Sequence, residues 1–255
     1  MNAFNRHGIY RLSYSHMDMF RTDPAAWLMR YPLKYKGGSN PNMARGNAVE
    51  HGLEQYLLDE FGVMGLAEAT EAAEKHFMRE TALMPKTDAR EAALKAIPGW
   101  MEQAIDAFAG FGKCVSSQNK LTLNLEDVPV EIVGYDDFEF QGDPMLSVDL
   151  KTTIKLPSKI SDNHKRQGAL YQAMRPNHKI MFCYVTPKKW AAYEIDPVES
   201  IELVEDFRIS AKKMERLLSL TNDSKELADI FAPSYSSFYW SDPIMRAEAK
   251  RIFGV

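Results

Sequence analysis

The hydrophobic period of this chain switches from helical to strand spacing near its middle, and that change fixes the class of fold. In GNAVEHGLEQYLL, Val49, Leu53, Tyr56 and Leu57 recur at the spacing of one helical face. Leu66 to Phe111, rich in Ala, Glu, Lys and Met and interrupted by Pro85 and Pro98, predicts two or three further helices. From Leu121 the apolar residues alternate instead: Leu121, Leu123 and Leu125, then VPVEIVGYDDFEF, then MLSVDLKTT with Leu146, Val148 and Leu150 on one face. The turn residues QGDP separate the last two runs, so three consecutive strands are predicted. SDNHKRQGALYQAMR reads as a helix started by Ser161 or Asp162 and stopped before Pro176. HKIMFCYVTP and WAAYEI supply two more strands, and Val198 to Leu220 and the chain from Ser224 read as helical. Helices, then a mixed sheet holding a crossover helix, then helices again specify an α/β protein with helical additions at both ends. One domain over 1–255 is expected, with a mainly helical region at 1–118, a sheet core at 119–196 and a helical region at 197–255.

A chain of 255 residues with 45% hydrophobic content can bury a sizeable core. It holds no run of about eighteen uncharged apolar residues, and its amino terminus lacks the apolar stretch of a secretion signal. A soluble, cytoplasmic protein with no membrane partner is expected. Cys114 and Cys183 carry no CxxC spacing and read as reduced structural thiols. A phosphate-cradling GxxxxGK[ST] does not occur, which argues against a nucleotide-driven motor. The net charge of −4 argues mildly against a nonspecific nucleic-acid binder, but the charge is unevenly spread. Lys151 to Lys189 carries nine basic residues against Asp162 alone, a balance of +8 that leaves −12 for the rest. A charge run is commonly just a solvated face. This one, however, begins at a residue with a candidate chemical role.

Residues two apart on a strand point the same way, so Asp149 and Lys151 share a face while Val148 and Leu150 occupy the apolar one. Alone, such an acid–base pair is also the pattern of a surface ion pair. Twelve residues upstream lies Asp137, which the hairpin brings alongside, and two carboxylates from neighbouring strands can bind a hard divalent cation such as Mg²⁺. Asp136 points away from Asp137 on an ideal strand and reads as structural or, at most, as a support for the residues of the site. Gly134 marks a place where another backbone or a ligand comes close. His51 lies on the helix after Gly46, with Glu50 and Glu54 near enough in sequence to orient it or reach a metal. Gln167 and Tyr171, four apart, share a helix face, and with Lys165 and Arg166 they make a candidate surface for a phosphate backbone.

The ordered set GNAVEHGLEQYL, VGYDDF, VDLKTT and QGALY resembles the RecB-like branch of the PD-(D/E)XK nuclease superfamily. That branch runs as a G-to-H helix, a G-x-x-D strand, a D-x-K strand and a Q-x-x-x-Y helix. The likeness covers about Gly46 to Tyr171, and LSYSHMDMFRTDPAAW is similar to the family's opening segment. It implies a restriction-endonuclease-like core with a mixed central sheet. It also implies metal ligation by His51, Asp137 and Asp149, with the backbone carbonyl of Leu150 a further candidate. Lys151 would orient or activate the attacking water, and Gln167 and Tyr171 would position the site or the DNA. Many relatives hold an iron–sulfur cluster through a cysteine in the opening segment and three near the carboxy terminus. Here the first position is Asp23 and FAPSYSSFYWSDPIM contains no cysteine, so no cluster is expected; packing by Phe231, Tyr235, Phe238, Tyr239 and Trp240 is expected to close the fold.

The implied activity is metal-dependent hydrolysis of DNA, with Mg²⁺ or, in its place, Mn²⁺. The small size is similar to that of stand-alone bacteriophage exonucleases that process DNA ends for recombination or degrade DNA, acting in the host cytoplasm alongside a recombination or single-strand-binding protein. The alternatives are a CRISPR-associated or repair endonuclease of the same superfamily, and a non-catalytic DNA-binding module on a decayed nuclease fold. Oligomeric state is left open.

Overall fold

The computed structural model describes residues 1–254 apart from Lys36 and Ser39, with the side chain of Phe238 also outside the described set. Where the sequence suggests three consecutive regions of one domain, the chain divides into two compact units built from interleaved segments. One comprises Met1–Gly38, Leu121–Gly134 and Ile201–Val255, the other Ser39–Lys120 and Tyr135–Ser200.

The second unit carries the mixed sheet. Strands β2 (Cys114–Leu123) and β3 (Glu131–Phe140) pair with each other and run on from one unit into the other along the chain. Within this unit β3 pairs antiparallel with β4 (Met145–Thr152), with Phe138 opposite Val148 and Phe140 opposite Leu146. Strand β4 pairs in parallel with β5 (His178–Val185), and β5 antiparallel with β6 (Trp190–Glu194). A parallel neighbour requires a crossover, and α7 (Asp162–Met174) supplies it. Ser161 caps that helix by accepting from His164 N–H, so the sequence reading of its start holds.

Helices α4 (Pro41–Leu57), α5 (Leu66–Glu80) and α6 (Asp88–Ala109) cover one sheet face. Their apolar stripes meet the even-numbered strand residues Phe138, Phe140, Val148 and Leu150 in one core with Trp100, Phe77 and Phe108. Each such side chain taken fully out of water stabilises the fold by about 1.5–3 kcal/mol. Asn40 starts α4 by accepting from the N–H groups of Asn42 and Met43, with Pro41 at the first helical position. Gly52 lets α4 and α5 close up: a Cβ there would stand 2.7 Å from the Ala69 carbonyl oxygen. Pro98 does not end a helix as its sequence suggests, since α6 runs through it; burial of Ile97 and Trp100 on either side outweighs the lost backbone bond.

The first unit is mostly helical: α1 (Ala3–Arg6), α2 (Tyr14–Thr22), α3 (Pro24–Arg30) and α9 (Pro243–Phe253), with the two-residue strand β1 (Arg11–Leu12) parallel to the start of β3. The long helix α8 (Pro197–Leu218) continues into it from the second unit. Asp23 is buried here, capping α3 through Ala26 N–H and accepting from the Trp240 indole N–H at 2.8 Å. Trp240 packs edge-on against Tyr235, and Tyr239 donates to Asp18. The aromatic closure expected of the tail is therefore formed by Tyr235, Tyr239 and Trp240 together with the opening segment, while Phe238 lies outside the described residues. Among the described residues no helix is long and apolar enough to cross a membrane. Cys114 and Cys183 are buried free thiols.

Candidate active site

Strand periodicity delivers Asp149 and Lys151 to the sheet face opposite the α4–α6 core. Asp149 is 3% exposed, and its Oδ2 is ion-paired with Lys151 Nζ. Its Oδ1 accepts from Gln167 Nε2 at 3.1 Å, and the same amide nitrogen lies 2.9 Å from the Tyr171 hydroxyl. Gln167 and Tyr171 reach the site because α7 lies close to the sheet at Gly168, where a Cβ would meet Phe182 Cε2 at 2.8 Å and Ile195 Cδ1 at 2.6 Å. The Phe182 ring in turn supports the Lys151 ammonium from 5.4 Å.

Asp137 arrives by a different route. The β3–β4 register, carried two residues beyond the Phe138–Val148 pair, would set Leu150 opposite Asp136. The Leu150 N–H instead donates to Asp137 Oδ2 at 2.8 Å, so a carboxylate replaces a backbone carbonyl in the ladder and is held beside Asp149. Asp136, 1% exposed, accepts from Asn119 N–H, Ser147 Oγ and Arg175. These bonds tie it into the sheet.

The electrostatics follow from crowding acids in a dry place. Burial, then Asp149 and Glu50, push the Asp137 carboxyl well above the usual range, and burial also raises Asp149 against the pull of Lys151. Glu50 rises to about 7 through burial and the charge of Asp149. Burial opposes the charge on Lys151, but Asp149, Asp137 and Glu50 outweigh it and the ammonium titrates above its ordinary value. Burial, reinforced by the same aspartates, keeps the Tyr171 phenol protonated.

Five residues singled out in the sequence therefore converge: Asp137, Asp149, Lys151, Gln167 and Tyr171. His51 makes further contacts on the helical side. Its Nδ1 lies 3.6 Å from Glu54 Oε2 and its ring 4.5 Å from that of His76. Its neighbour Glu50 raises Asp137 and is itself raised by Asp149, and its carboxylate accepts from Gln118 Nε2. Gln118 is a non-glycine residue at φ 51°, a conformation that costs energy and tends to persist where surrounding contacts fix it. Nothing in the sequence marks it. Of the expected DNA-contacting pair, Lys165 is held by Glu199 at 2.8 Å and Arg166 lies 3.4 Å from Asn163 Oδ1.

No protein-family profile and no curated protein matches the chain by sequence. Among solved structures it is similar to the crystal structure of a "Putative exonuclease" from Eubacterium rectale, at 12% identity and a TM-score of 0.53, over 81% of this chain and 82% of that one. The likeness shows a shared fold, a mixed sheet flanked by helices. A second structure, of SSO0001, shares 17% identity over 68% of this chain and 86% of that one, but its TM-score of 0.33 carries no weight.

The donor set can be tested against a metal directly. Among the described residues no three His, Cys, Asp or Glu side chains form a ready-made cage. A hard cation such as Mg²⁺ does not need one, since it keeps several waters and takes one or two protein carboxylates. Asp137 and Asp149 supply those oxygens with Glu50 nearby, and their mutual repulsion is the imbalance that a divalent charge relieves. The residues fit such an ion.

Proposed function

We propose that this chain is a metal-dependent deoxyribonuclease of the RecB-like PD-(D/E)XK type, working as an exonuclease on DNA ends. The observation that supports this function most directly is the set Asp137–Asp149–Lys151, held by the Leu150 N–H and by Gln167. The fold shared with the "Putative exonuclease" of Eubacterium rectale agrees with it. The reaction is hydrolysis: a water oxygen bonds to phosphorus, the P–O3′ bond breaks, and the leaving 3′-oxygen takes a proton, giving a 5′-phosphate. A bound Mg²⁺ or Mn²⁺ would neutralise charge developing on the phosphate and lower the pKa of a water. Asp137 and Asp149 would hold that ion, with the Leu150 carbonyl a further oxygen. Lys151, cationic in this setting, orients the attacking water and stabilises the phosphorane-like charge rather than serving as a neutral base. Gln167 and Tyr171 fix the Asp149 carboxylate from the α7 side. DNA-end processing during recombination or DNA degradation, as in bacteriophage enzymes, is the setting this activity suits, with a recombination or single-strand-binding protein as partner.

Incubation of the full chain and Mg²⁺ with end-labelled linear and closed circular DNA tests this. Linear DNA should shorten and circles persist. A chelator, Asp149→Asn or Lys151→Ala should each lower the rate by about 10³-fold or more. Cutting of circles would make the protein an endonuclease. Binding without cutting in either metal would leave only a DNA-binding module.

A further inference from the structure

Beside the candidate site lies a partly buried polar network that the proposed chemistry does not use. Arg175 closes α7 as its C-terminal cap residue, its N–H donating to the Tyr171 carbonyl. Its guanidinium forks, Nη1 donating to Glu139 Oε1 at 3.1 Å and Nη2 to Asp136 Oδ2 at 3.3 Å. Those two acids bracket Asp137 on β3. Further donors hold each of them. Asp136 also accepts from Ser147 Oγ and the Asn119 N–H, and Glu139 Oε2 accepts from Ser116 Oγ at 2.7 Å and from Asn119 Nδ2. His178 completes the set, with Nδ1 3.2 Å from Ser147 Oγ and Nε2 3.6 Å from Glu139 Oε1.

This network sits where the β3–β4 ladder is irregular. A regular ladder would satisfy the Leu150 N–H with the Asp136 carbonyl, leaving the Asp137 carboxylate free to turn toward water. In the structure Leu150 N–H goes to Asp137 Oδ2. Keeping it so requires the strand to be held out of register-perfect pairing at Asp136, and the groups that grip Asp136 are Arg175, Ser147 and Asn119. Only Arg175 brings a full positive charge, and charge-assisted, forked hydrogen bonds are the stronger and more directional ones. We propose that Arg175 is a positioning residue for Asp137: by gripping Asp136 and Glu139 on either side of it, the guanidinium holds the Asp137 carboxylate against the Leu150 N–H and beside Asp149. The same grip ties the end of α7, and with it Gln167 and Tyr171, to the strand that carries Asp137. The catalytic consequence rests on the nuclease function proposed above, whereas the geometric consequence does not.

The two are read separately. In the uniformly ¹⁵N-labelled full chain, the Leu150 amide, bonded to a carboxylate, should resonate downfield and exchange slowly. In Arg175→Ala and in Asp136→Asn it should move upfield and exchange at least tenfold faster, and Arg175→Lys, which keeps the charge and loses the fork, should fall between. Gln172→Ala is the control: it removes bonds to the carbonyls of Arg175 and His178 at the same helix end without touching Asp136 or Glu139, and should leave the Leu150 amide where it is. In DNA cleavage, Arg175→Ala should lower kcat by about 10²-fold, the scale of a 1 Å misplacement, with KM for DNA within twofold and a higher Mg²⁺ requirement. Gln172→Ala should lower kcat by no more than about twofold. An unmoved Leu150 amide in folded Arg175→Lys and Asp136→Asn overturns the proposal, as does an equal loss of kcat in Gln172→Ala. A wild-type chain that cuts no DNA overturns the nuclease function alone, since the Leu150 amide still reports on Arg175.

Discussion

Asp149 and Lys151 could be read from the sequence because strand period fixes a face absolutely: whatever packs on Val148 and Leu150, the residues between them must point the other way. A helix offers no such certainty. Glu50 and His51 are neighbours separated by about 100° of rotation, and which of them meets the sheet depends on how α4 is turned. That turn is set by close packing at the glycines that flank them, at Gly52 against Ala69 and at Gly46, where a Cβ would stand 3.1 Å from Thr152 Oγ1. The sequence pattern favours His51 as the ligand; the charge coupling to the aspartates brings Glu50 forward as a further candidate. Substitution decides between them. Glu50→Gln should lower kcat/KM about tenfold to a hundredfold by removing a carboxylate next to the aspartates, and His51→Gln should cost less. The reverse order, measured on linear DNA under saturating Mg²⁺, would return the metal-ligand role to His51.

At the scale of elements, the strands and the capped helix α7 were legible because alternation, turn residues and a Ser at the N-cap all agree. Less legible was β2, which begins at Cys114 in a segment with no clear alternation, VSSQNK, and bends at Gln118. Its polar residues are turned toward Glu50, Glu54, Asp136 and Glu139, partners that lie 17 to 68 residues away in sequence. Such long-range satisfaction leaves no local pattern to read. The close approach of α7 to β5 was also invisible, though a glycine inside a helix hints at it. Gly168→Ala tests its importance. The added methyl would press on Phe182 and Ile195 below any normal contact distance, and because Ile195 is 4% exposed and walled in, relief must come from moving α7. The expected result is a loss of about 1–3 kcal/mol in stability and a larger loss of kcat than of DNA affinity, as Gln167 is carried away from Asp149. A chemical melt and the kcat-to-KM split check both halves. Unchanged kcat in a destabilised protein would detach α7 placement from catalysis.

Across the whole molecule, charge is arranged differently from what a tally of the basic stretch suggests. Much of the +8 segment is answered locally: Lys151 by Asp149, Lys165 by Glu199, Arg175 by Asp136 and Glu139, and Lys179 by Glu194 at 3.9 Å. An exposed pair such as Lys165–Glu199 is weak and screened by salt, so phosphate can still displace Glu199, but Lys165 starts from a paired state. The acids of the site are crowded and buried, and their effect on stability has a definite sign. Glu50 titrates near 7 in the fold against an ordinary 4.5, so between these values the folded chain keeps a proton that the unfolded chain has released. Unfolding therefore releases protons in this window, and stability falls as pH rises through it. Asp137 and Asp149 shift in the same direction. Histidines work the other way: burial lowers His16 to about 3 and His164 to about 4, so their share of stability is present above the unfolded value of 6.5 and is lost as pH falls below it. The two effects oppose each other below pH 6.5, and above it the carboxylates act alone. Metal-free protein should accordingly lose stability between about pH 6.5 and 8, by an amount on the order of 1–2 kcal/mol. Mg²⁺ should restore it increasingly with pH, because the ionised carboxylates bind the cation and their neutral, protonated forms do not. Thermal melts at several pH values, with and without Mg²⁺, measure this directly. Glu50→Gln keeps the histidine contribution and should flatten the decline above pH 6.5. A wild-type decline that survives unaltered in Glu50→Gln would place its origin outside the site.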